Sequence, residues 1–168
     1  MTQFFAQPYD LSATGFYFET EEQYREKITT IRNDYGQPVE EFEIQFIDGE
    51  RIDAALANAW GLNQANILRF MEIEDEWGED QKQRFIIAVG ECAYSFDPET
   101  VDPNDFDVDL YFVRSMRDLA EEFVAEGLFG PVPEAFRFYI DYDAIAGDLA
   151  VDYAETDIAG DNIIYRCG

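Results

Sequence analysis

Three aspartates alternate with apolar residues in the segment Asp105-Phe-Asp-Val-Asp-Leu. In a β-strand, residues two positions apart lie on one face, about 6.6 Å from each other. We therefore expect Asp105, Asp107 and Asp109 to form a row of negative charges whose spacing is of the same order as that of successive phosphates in a nucleic-acid strand. The alternative is the solvent-facing side of an ordinary strand.

Other acidic residues are grouped in the same way along the chain. The densest run lies between Glu72 and Asp80, and Glu22 and Glu26 are one helical turn apart. Like charges at that spacing destabilise a helix slightly, so stability does not explain them. We assign the following residues to one extended anionic surface: Glu22, Glu26, Glu41, Glu43, Glu72, Glu74, Asp75, Glu76, Glu79, Asp80, Asp105, Asp107, Asp109, Glu121, Glu122 and Glu126.

Catalytic and metal-binding patterns are weak. The chain has no histidine, which excludes a Ser-His-Asp triad, a Cys-His pair and His-ligated zinc. The segment that begins at Asp102 resembles a calcium loop, but Asp107 replaces its glycine and Val113 its bidentate glutamate. A hydrolase that uses two carboxylates stays open among 37 acids, although no pair stands out. We expect no catalytic residue, no metal and no cofactor, and therefore a protein that is not an enzyme.

The charge of the whole chain narrows the function further. It has 37 acidic and 11 basic residues, a net charge of -26, and 16% aromatic residues. The aromatic content excludes an acidic disordered tail, and the charge disfavours nucleic acids and anionic membranes as direct partners. Solubility requires a net charge of only about 2 to 8. Because duplex DNA carries one charge per about 1.7 Å, this charge matches about 13 base pairs.

The predicted strands and helices that contain the acidic residues indicate an α+β fold. In the N-terminal part we expect a strand at Gly15–Glu19, a helix capped by Thr20 that continues to Tyr35, and a strand at Glu41–Ile47. In the middle we expect three helices, over residues 53–60, 63–76 and 79–96.

The C-terminal part also mixes strands and helices. We expect a strand at 106–112, a helix capped by Ser115 and closed by Gly127, and a second helix from Pro133 with Phe136 and Tyr139 facing inward. Two strands, 150–153 and 162–165, should flank a turn at Ala159. These patterns predict three domains: a small α+β domain at 1–53, a helical domain at 54–104 and an α+β domain at 105–168.

Nothing in the sequence indicates export or membrane insertion. The N-terminus has no basic segment followed by an apolar run, and no apolar stretch approaches the roughly 20 residues that span a bilayer. Two cysteines, Cys92 and Cys167, are too few for a disulfide framework, and we expect both to be thiols. These observations predict a cytoplasmic protein.

The C-terminal third resembles a known family. The segment Leu119-Ala-Glu-Glu-Phe-Val-Ala-Glu-Gly-Leu-Phe-Gly-Pro-Val-Pro133, followed by Tyr139-Ile-Asp-Tyr142 and Gly147-Asp-Leu149, is similar to the ArdA family of antirestriction proteins. The similarity extends over residues 106–150 and, more weakly, over 15–28. Ala146-Gly147 stands where Gly-Arg is usual in the family.

The resemblance implies an elongated homodimer of three small domains per chain that mimics bent B-form DNA. Such proteins are carried on mobile elements and act in the host cytoplasm, where they occupy the DNA groove of type I restriction-modification enzymes through the methyltransferase core. The antirestriction-like motif and dimer region would comprise Leu119, Phe123, Gly127, Leu128, Gly130, Pro133, Tyr139, Asp141 and Tyr142.

Three other functions are compatible with the composition. The first is a DNA mimic that inhibits another DNA-handling complex, such as a CRISPR effector. The second is an acidic scaffold or binding protein of a halophile, since only Lys27 and Lys82 provide lysine; however, 15 Phe and 10 Tyr indicate a full core. The third is an acidic chaperone for basic partners.

Overall fold

The computed structural model describes residues 1–168 and shows a mixed α+β fold with two three-stranded antiparallel sheets. The chain divides into a first unit, Met1–Phe106, and a second unit, Asp107–Gly168. Each unit contains one of the sheets. The predicted α+β class is therefore correct.

The first unit contains three strands and four α-helices. They are β1 (Gln3–Pro8), β2 (Phe16–Phe18), α1 (Glu21–Ile28), β3 (Phe42–Asp48), α2 (Arg51–Trp60), α3 (Ile67–Glu76) and α4 (Glu79–Phe85), which continues as a π-helix over Ile86–Glu91. A 3₁₀ turn follows at Pro103–Asp105. The second unit contains β4 (Val108–Tyr111), α5 (Met116–Ala125), a 3₁₀ helix at Glu134–Tyr139, α6 (Tyr142–Leu149), β5 (Ala154–Ile158) and β6 (Asp161–Cys167).

Strand β1 is the central strand of the first sheet, in the order β2-β1-β3, and the sequence prediction missed it. Its residues alternate, with Phe4, Ala6 and Pro8 buried. Phe4 lies opposite Phe18 on one neighbour and Phe46 on the other. Rings from all three strands therefore form one core layer.

Helix α1 begins as predicted but ends early. The Thr20 hydroxyl accepts a hydrogen bond from the amide of Gln23, as expected for a helix cap. The predicted helix to Tyr35 is wrong, because the hydroxyls of Thr29 and Thr30 donate to carbonyls three residues back and the helix stops at Ile28. Tyr35 is 85% exposed.

The three predicted helices of the middle region are present with shifted bounds. Trp60, Trp77, Phe85 and Phe96 form an aromatic cluster with ring centroids 4.8–6.1 Å apart. The last helix is shorter than predicted, since its α-helical part ends at Phe85 and the π-helix ends at Glu91. The predicted boundary at residue 53 falls inside α2.

The second unit packs α5 and its sheet, ordered β4-β6-β5, around Leu119, Phe123 and Ile164. The Ser115 hydroxyl accepts from the amide of Asp118, so the predicted cap of α5 is confirmed. The strand predicted at 162–165 is confirmed as part of β6, but the strand predicted at 150–153 is wrong, because these residues form a turn after α6. The partner of β6 across the turn at Ala159 is β5, which begins at Ala154.

The helix predicted from Pro133 is wrong in its first half. Residues Glu134–Tyr139 form a 3₁₀ helix, and Ile140 is extended before α6 begins. Phe136 and Tyr139 are exposed, whereas we predicted that they face inward. The prediction of two thiols is also wrong, because the structure contains no free cysteine.

Candidate functional site

The acidic side chains lie almost entirely at the surface of the two units. Of the 37 carboxylates, only Asp53 is buried, and five others are partly buried: Asp10, Glu19, Glu74, Asp109 and Asp118. The first unit has 23 acidic and 7 basic residues, and the second has 14 and 4. Both units therefore have a strongly anionic surface.

The predicted row of three aspartates does not form on one strand. Strand β4 begins at Val108, so Asp107 precedes it and Asp105 ends a 3₁₀ turn. The Asp102 side chain caps that turn by accepting from the amide of Asn104, which interrupts the alternation. Asp109 is in the strand, but its carboxylate accepts from the Arg166 guanidinium at 2.8 and 3.1 Å, so its charge is paired.

Other predicted carboxylates are exposed where the sequence placed them. Glu22 and Glu26 are one turn apart on α1, and neither forms an ion pair. Glu43 is exposed on β3 and Glu41 immediately precedes that strand. Glu122 and Glu126 are exposed on α5 and at its C-cap, and Glu121 pairs with Arg117.

The dense acidic run, which covers the end of α3 and the start of α4, contains both paired and unpaired carboxylates. Glu72 and Glu76 both approach the Arg69 guanidinium, at 2.8 and 3.7 Å. The carboxylates of Asp75, Glu79 and Asp80 are exposed and have no basic partner. Glu79 and Asp80 lie in the first turn of α4, where the helix dipole stabilises negative charge.

A cavity of about 850 Å³ in the first unit brings seven carboxylates together. Its apolar lining includes Phe4, Leu68, Met71 and Trp77, and its basic residue is Lys82. The sequence prediction missed this arrangement because the residues come from five separate segments. No group of three or more acidic or cysteine side chains is arranged to hold a metal ion. The carboxylates that line the cavity are those of Glu19, Glu21, Glu50, Asp53, Glu72, Glu74 and Asp75.

Lys82 and Asp53 form a buried ion pair at this cavity. The Lys82 ammonium donates to the Asp53 carboxylate at 2.5 Å, and these two residues are 7% and 5% exposed. The pair connects α4 to α2. The sequence did not indicate this ion pair, because its two residues are 29 positions apart. Nothing in the sequence distinguishes Lys82 from Lys27 as the buried lysine.

Burial raises the pKa of Glu74, which lines the same cavity. A hydrogen bond from the Thr2 hydroxyl and the charge of Lys82 oppose this shift, whereas the nearby carboxylates of Asp53 and Asp75 reinforce it. An acid whose pKa is raised on folding stabilises the protein at low pH, and this contribution is lost as the pH rises through the folded-state pKa. Ionised Glu74 therefore opposes folding at neutral pH.

The variant Glu74→Gln is expected to raise the melting temperature at neutral pH by roughly 2 °C, because it removes a half-buried charge and keeps an acceptor for Thr2. The difference from the native chain should close as the pH falls toward the ordinary value of 4.5. Calorimetry over this pH range tests it. The exposed Glu40→Gln variant is the control for loss of one charge, and a lower melting temperature for Glu74→Gln at neutral pH would contradict the expectation.

The segment predicted as an antirestriction-like motif begins in the core and ends at the surface. Leu119 and Phe123 lie on the buried face of α5. Gly127 has φ 80°, and the amides of Gly127 and Leu128 donate to the carbonyls of Val124 and Phe123. This is a Schellman motif, which requires the left-handed conformation that glycine adopts easily. The predicted helix end at Gly127 is thus confirmed.

Residues 128–139, which we call the apolar segment, expose five large apolar side chains. These are between 57% and 95% exposed: Leu128, Phe129, Phe136, Phe138 and Tyr139. The four rings together expose roughly 600 Å², taking about 200 Å² for each full ring. Glu134 and Arg137 are the only charged residues in the segment, so its net charge is zero. Pro133 separates the two groups of exposed side chains.

No protein-family model matches the chain. No curated protein matches it. No helix in the structure combines the length and the apolar character that crossing a membrane requires.

Proposed function

We propose that this protein is a DNA mimic that inhibits type I restriction-modification enzymes, as the resemblance to the ArdA family implies. The observation that carries the proposal is the surface location of the charge: 36 of 37 carboxylates are outside the core, in both units. The target surface is the DNA groove of the methyltransferase core, whose lysines and arginines bind phosphates without reading sequence.

Several of the basic residues are already paired within the chain, which supports this function. Lys82 pairs with Asp53, and Arg69, Arg117 and Arg166 each contact at least one carboxylate. The exposed carboxylates that have no basic partner are then free to contact cations of the target. The protein binds by displacing anions from the groove, and none of its residues is catalytic.

The apolar segment supports a homodimer. Stable interfaces bury about 800 Å² on each partner, and the four exposed rings of the segment supply roughly 600 Å². Two chains with a net charge of -26 repel each other, so the segment with zero net charge is the favourable place for contact. We propose an elongated dimer that acts in the cytoplasm of a host that carries a mobile element.

Competition for DNA tests the proposed function directly. The purified protein should displace a labelled duplex that contains the recognition site from a type I methyltransferase core, because both occupy the same groove. Fluorescence anisotropy of the duplex measures the displacement, and the duplex should be fully released at saturating protein.

Polyglutamate at the same total charge is the control for nonspecific competition by anions, and it should be far less effective. Full occupancy of the duplex at saturating protein would contradict the proposal. If the protein displaced duplex DNA from a CRISPR effector and not from the methyltransferase core, it would still be a DNA mimic, but with a different target.

A further inference from the structure

The apolar segment is held at both ends by local backbone contacts. At its start, the Schellman motif at Gly127 fixes the chain as it leaves α5. Beyond its end, the Asp141 carboxylate accepts from the amide of Ala144 and caps α6. Each contact fixes the segment to one helix, but neither fixes one end relative to the other.

Arg117 supplies a connection between the two helices. On α5 its Nε donates to Glu121 at 3.2 Å, and its Nη1 lies 2.9 Å from the Asp143 carboxylate on α6. Its guanidinium also lies over the Tyr142 ring, 5.8 Å from the centroid. A planar guanidinium can make all three contacts at once, whereas an ammonium cannot.

We infer that Arg117 is the positioning residue of the apolar segment: by bridging α5 to the first turn of α6, it holds residues 128–139 in the conformation that exposes their apolar side chains. The dimer that this presentation serves rests on the proposed function. The bridge itself does not, since all its contacts lie within one chain.

The cross-helix contact is the part of the network that matters. Glu121 lies on the same helix as Arg117, so their pair stabilises α5 alone. Asp143 lies beyond the segment, and the Arg117–Asp143 contact therefore joins its two ends at the surface, beside the packing of Leu149 on α6 against the core of α5. Arg117 is half-exposed, and its pKa is raised by hydrogen bonds from its guanidinium to the Asp143 and Glu121 carboxylates.

Hydrogen exchange of the purified chain tests the inference. In Arg117→Met, the hydrogen-bonded amides of residues 128–139, such as those of Leu128, Gly130 and Phe136, should exchange about fivefold faster, as expected for loss of an exposed ion-pair network. Arg117→Lys should give a smaller increase, and Asp143→Asn should resemble Arg117→Met. Exchange at two protein concentrations separates this effect from protection by self-association, and sedimentation should show a weaker dimer.

Two controls make the outcome decisive. Glu121→Gln removes the pair within α5 and keeps the bridge, so exchange in the segment should stay unchanged. Arg25→Met removes the comparable i,i+4 pair on α1 and makes the same change in net charge. Unchanged exchange in Arg117→Met, or an equal increase in Glu121→Gln, would overturn the inference. Neither result depends on inhibition of an enzyme, so failure of the proposed function would be recognised separately.

Discussion

Binding of this protein to its target is expected to weaken about 10³-fold when the salt concentration rises from about 50 to 200 mM. This is the response of an interface that replaces six to ten phosphate contacts, because each contact releases a bound ion. Anisotropy competition at a series of salt concentrations measures it. A flat response would contradict an electrostatic mimic.

The same titration has a control on the fold. Circular dichroism of the free chain should show native structure at the lowest salt, since Phe4, Phe18, Phe70 and Phe85 form a fully buried aromatic core. Unfolding in dilute buffer would favour the halophilic scaffold instead.

Each carboxylate should contribute little to the binding of the target, and the affinity should come from many carboxylates together. One neutralisation changes an exposed contact only slightly, whereas six together should weaken binding about hundredfold. The set to neutralise by Gln or Asn is exposed, free of basic partners and within the assigned surface: Glu22, Glu26, Glu43, Asp75, Glu79 and Asp80.

A second set has the same number of exposed acids outside the assigned surface and gives the same net charge. It comprises Asp34, Glu40, Glu99, Asp148, Asp152 and Glu155. This set should weaken binding less. Equal losses would mean that total charge, and not its placement, determines binding.

The largest effect on stability is expected from Lys82→Met. Asp53 is only 5% exposed, and the substitution removes the cation that pairs with its carboxylate. Breaking a buried ion pair in this way lowers the free energy of unfolding by about 3–5 kcal/mol. Urea denaturation followed by tryptophan fluorescence measures it. Both tryptophans, Trp60 and Trp77, lie in the first unit, so the signal reports that unit alone.

The double variant Asp53→Leu with Lys82→Met separates the cost of an unpaired charge from the value of the pair. Replacing both groups by apolar side chains should recover most of the stability. The exposed Lys27→Met variant, which makes the same change in side chain and removes only an exposed hydrogen bond to the Tyr17 carbonyl, should stay within about 1 kcal/mol of the native chain. A double variant as unstable as Lys82→Met would contradict this account.

Sequence patterns predicted the elements whose signals are local. The Thr20 and Ser115 caps, the helix end at Gly127 and the alternation at Phe42 and Ile44 all appear in the structure. Each depends on residues within one or two turns of the chain. The exposure of most assigned carboxylates also follows from local chemistry, because an unpaired charge is costly to bury.

The elements that the sequence missed depend on distant partners or on competing local bonds. Strand β1 has only a short alternation, and its central position comes from pairing with β2 and β3. The predicted row of Asp105, Asp107 and Asp109 is wrong because Asp102 caps a 3₁₀ turn, so the strand does not begin at Asp105. The cavity and the Lys82–Asp53 pair are formed by residues from segments far apart in sequence. The periodicity of each segment therefore could not predict them.

The ion pair between α2 and α4 has a consequence for dividing the chain into fragments. A fragment that ends at residue 53 would contain the Asp53 carboxylate, and the remaining fragment would contain the Lys82 ammonium. Each fragment would then have an unpaired charge at a surface that is buried in the intact chain. A fragment of residues 1–106 keeps both partners and the aromatic cluster around Trp60 in a single polypeptide.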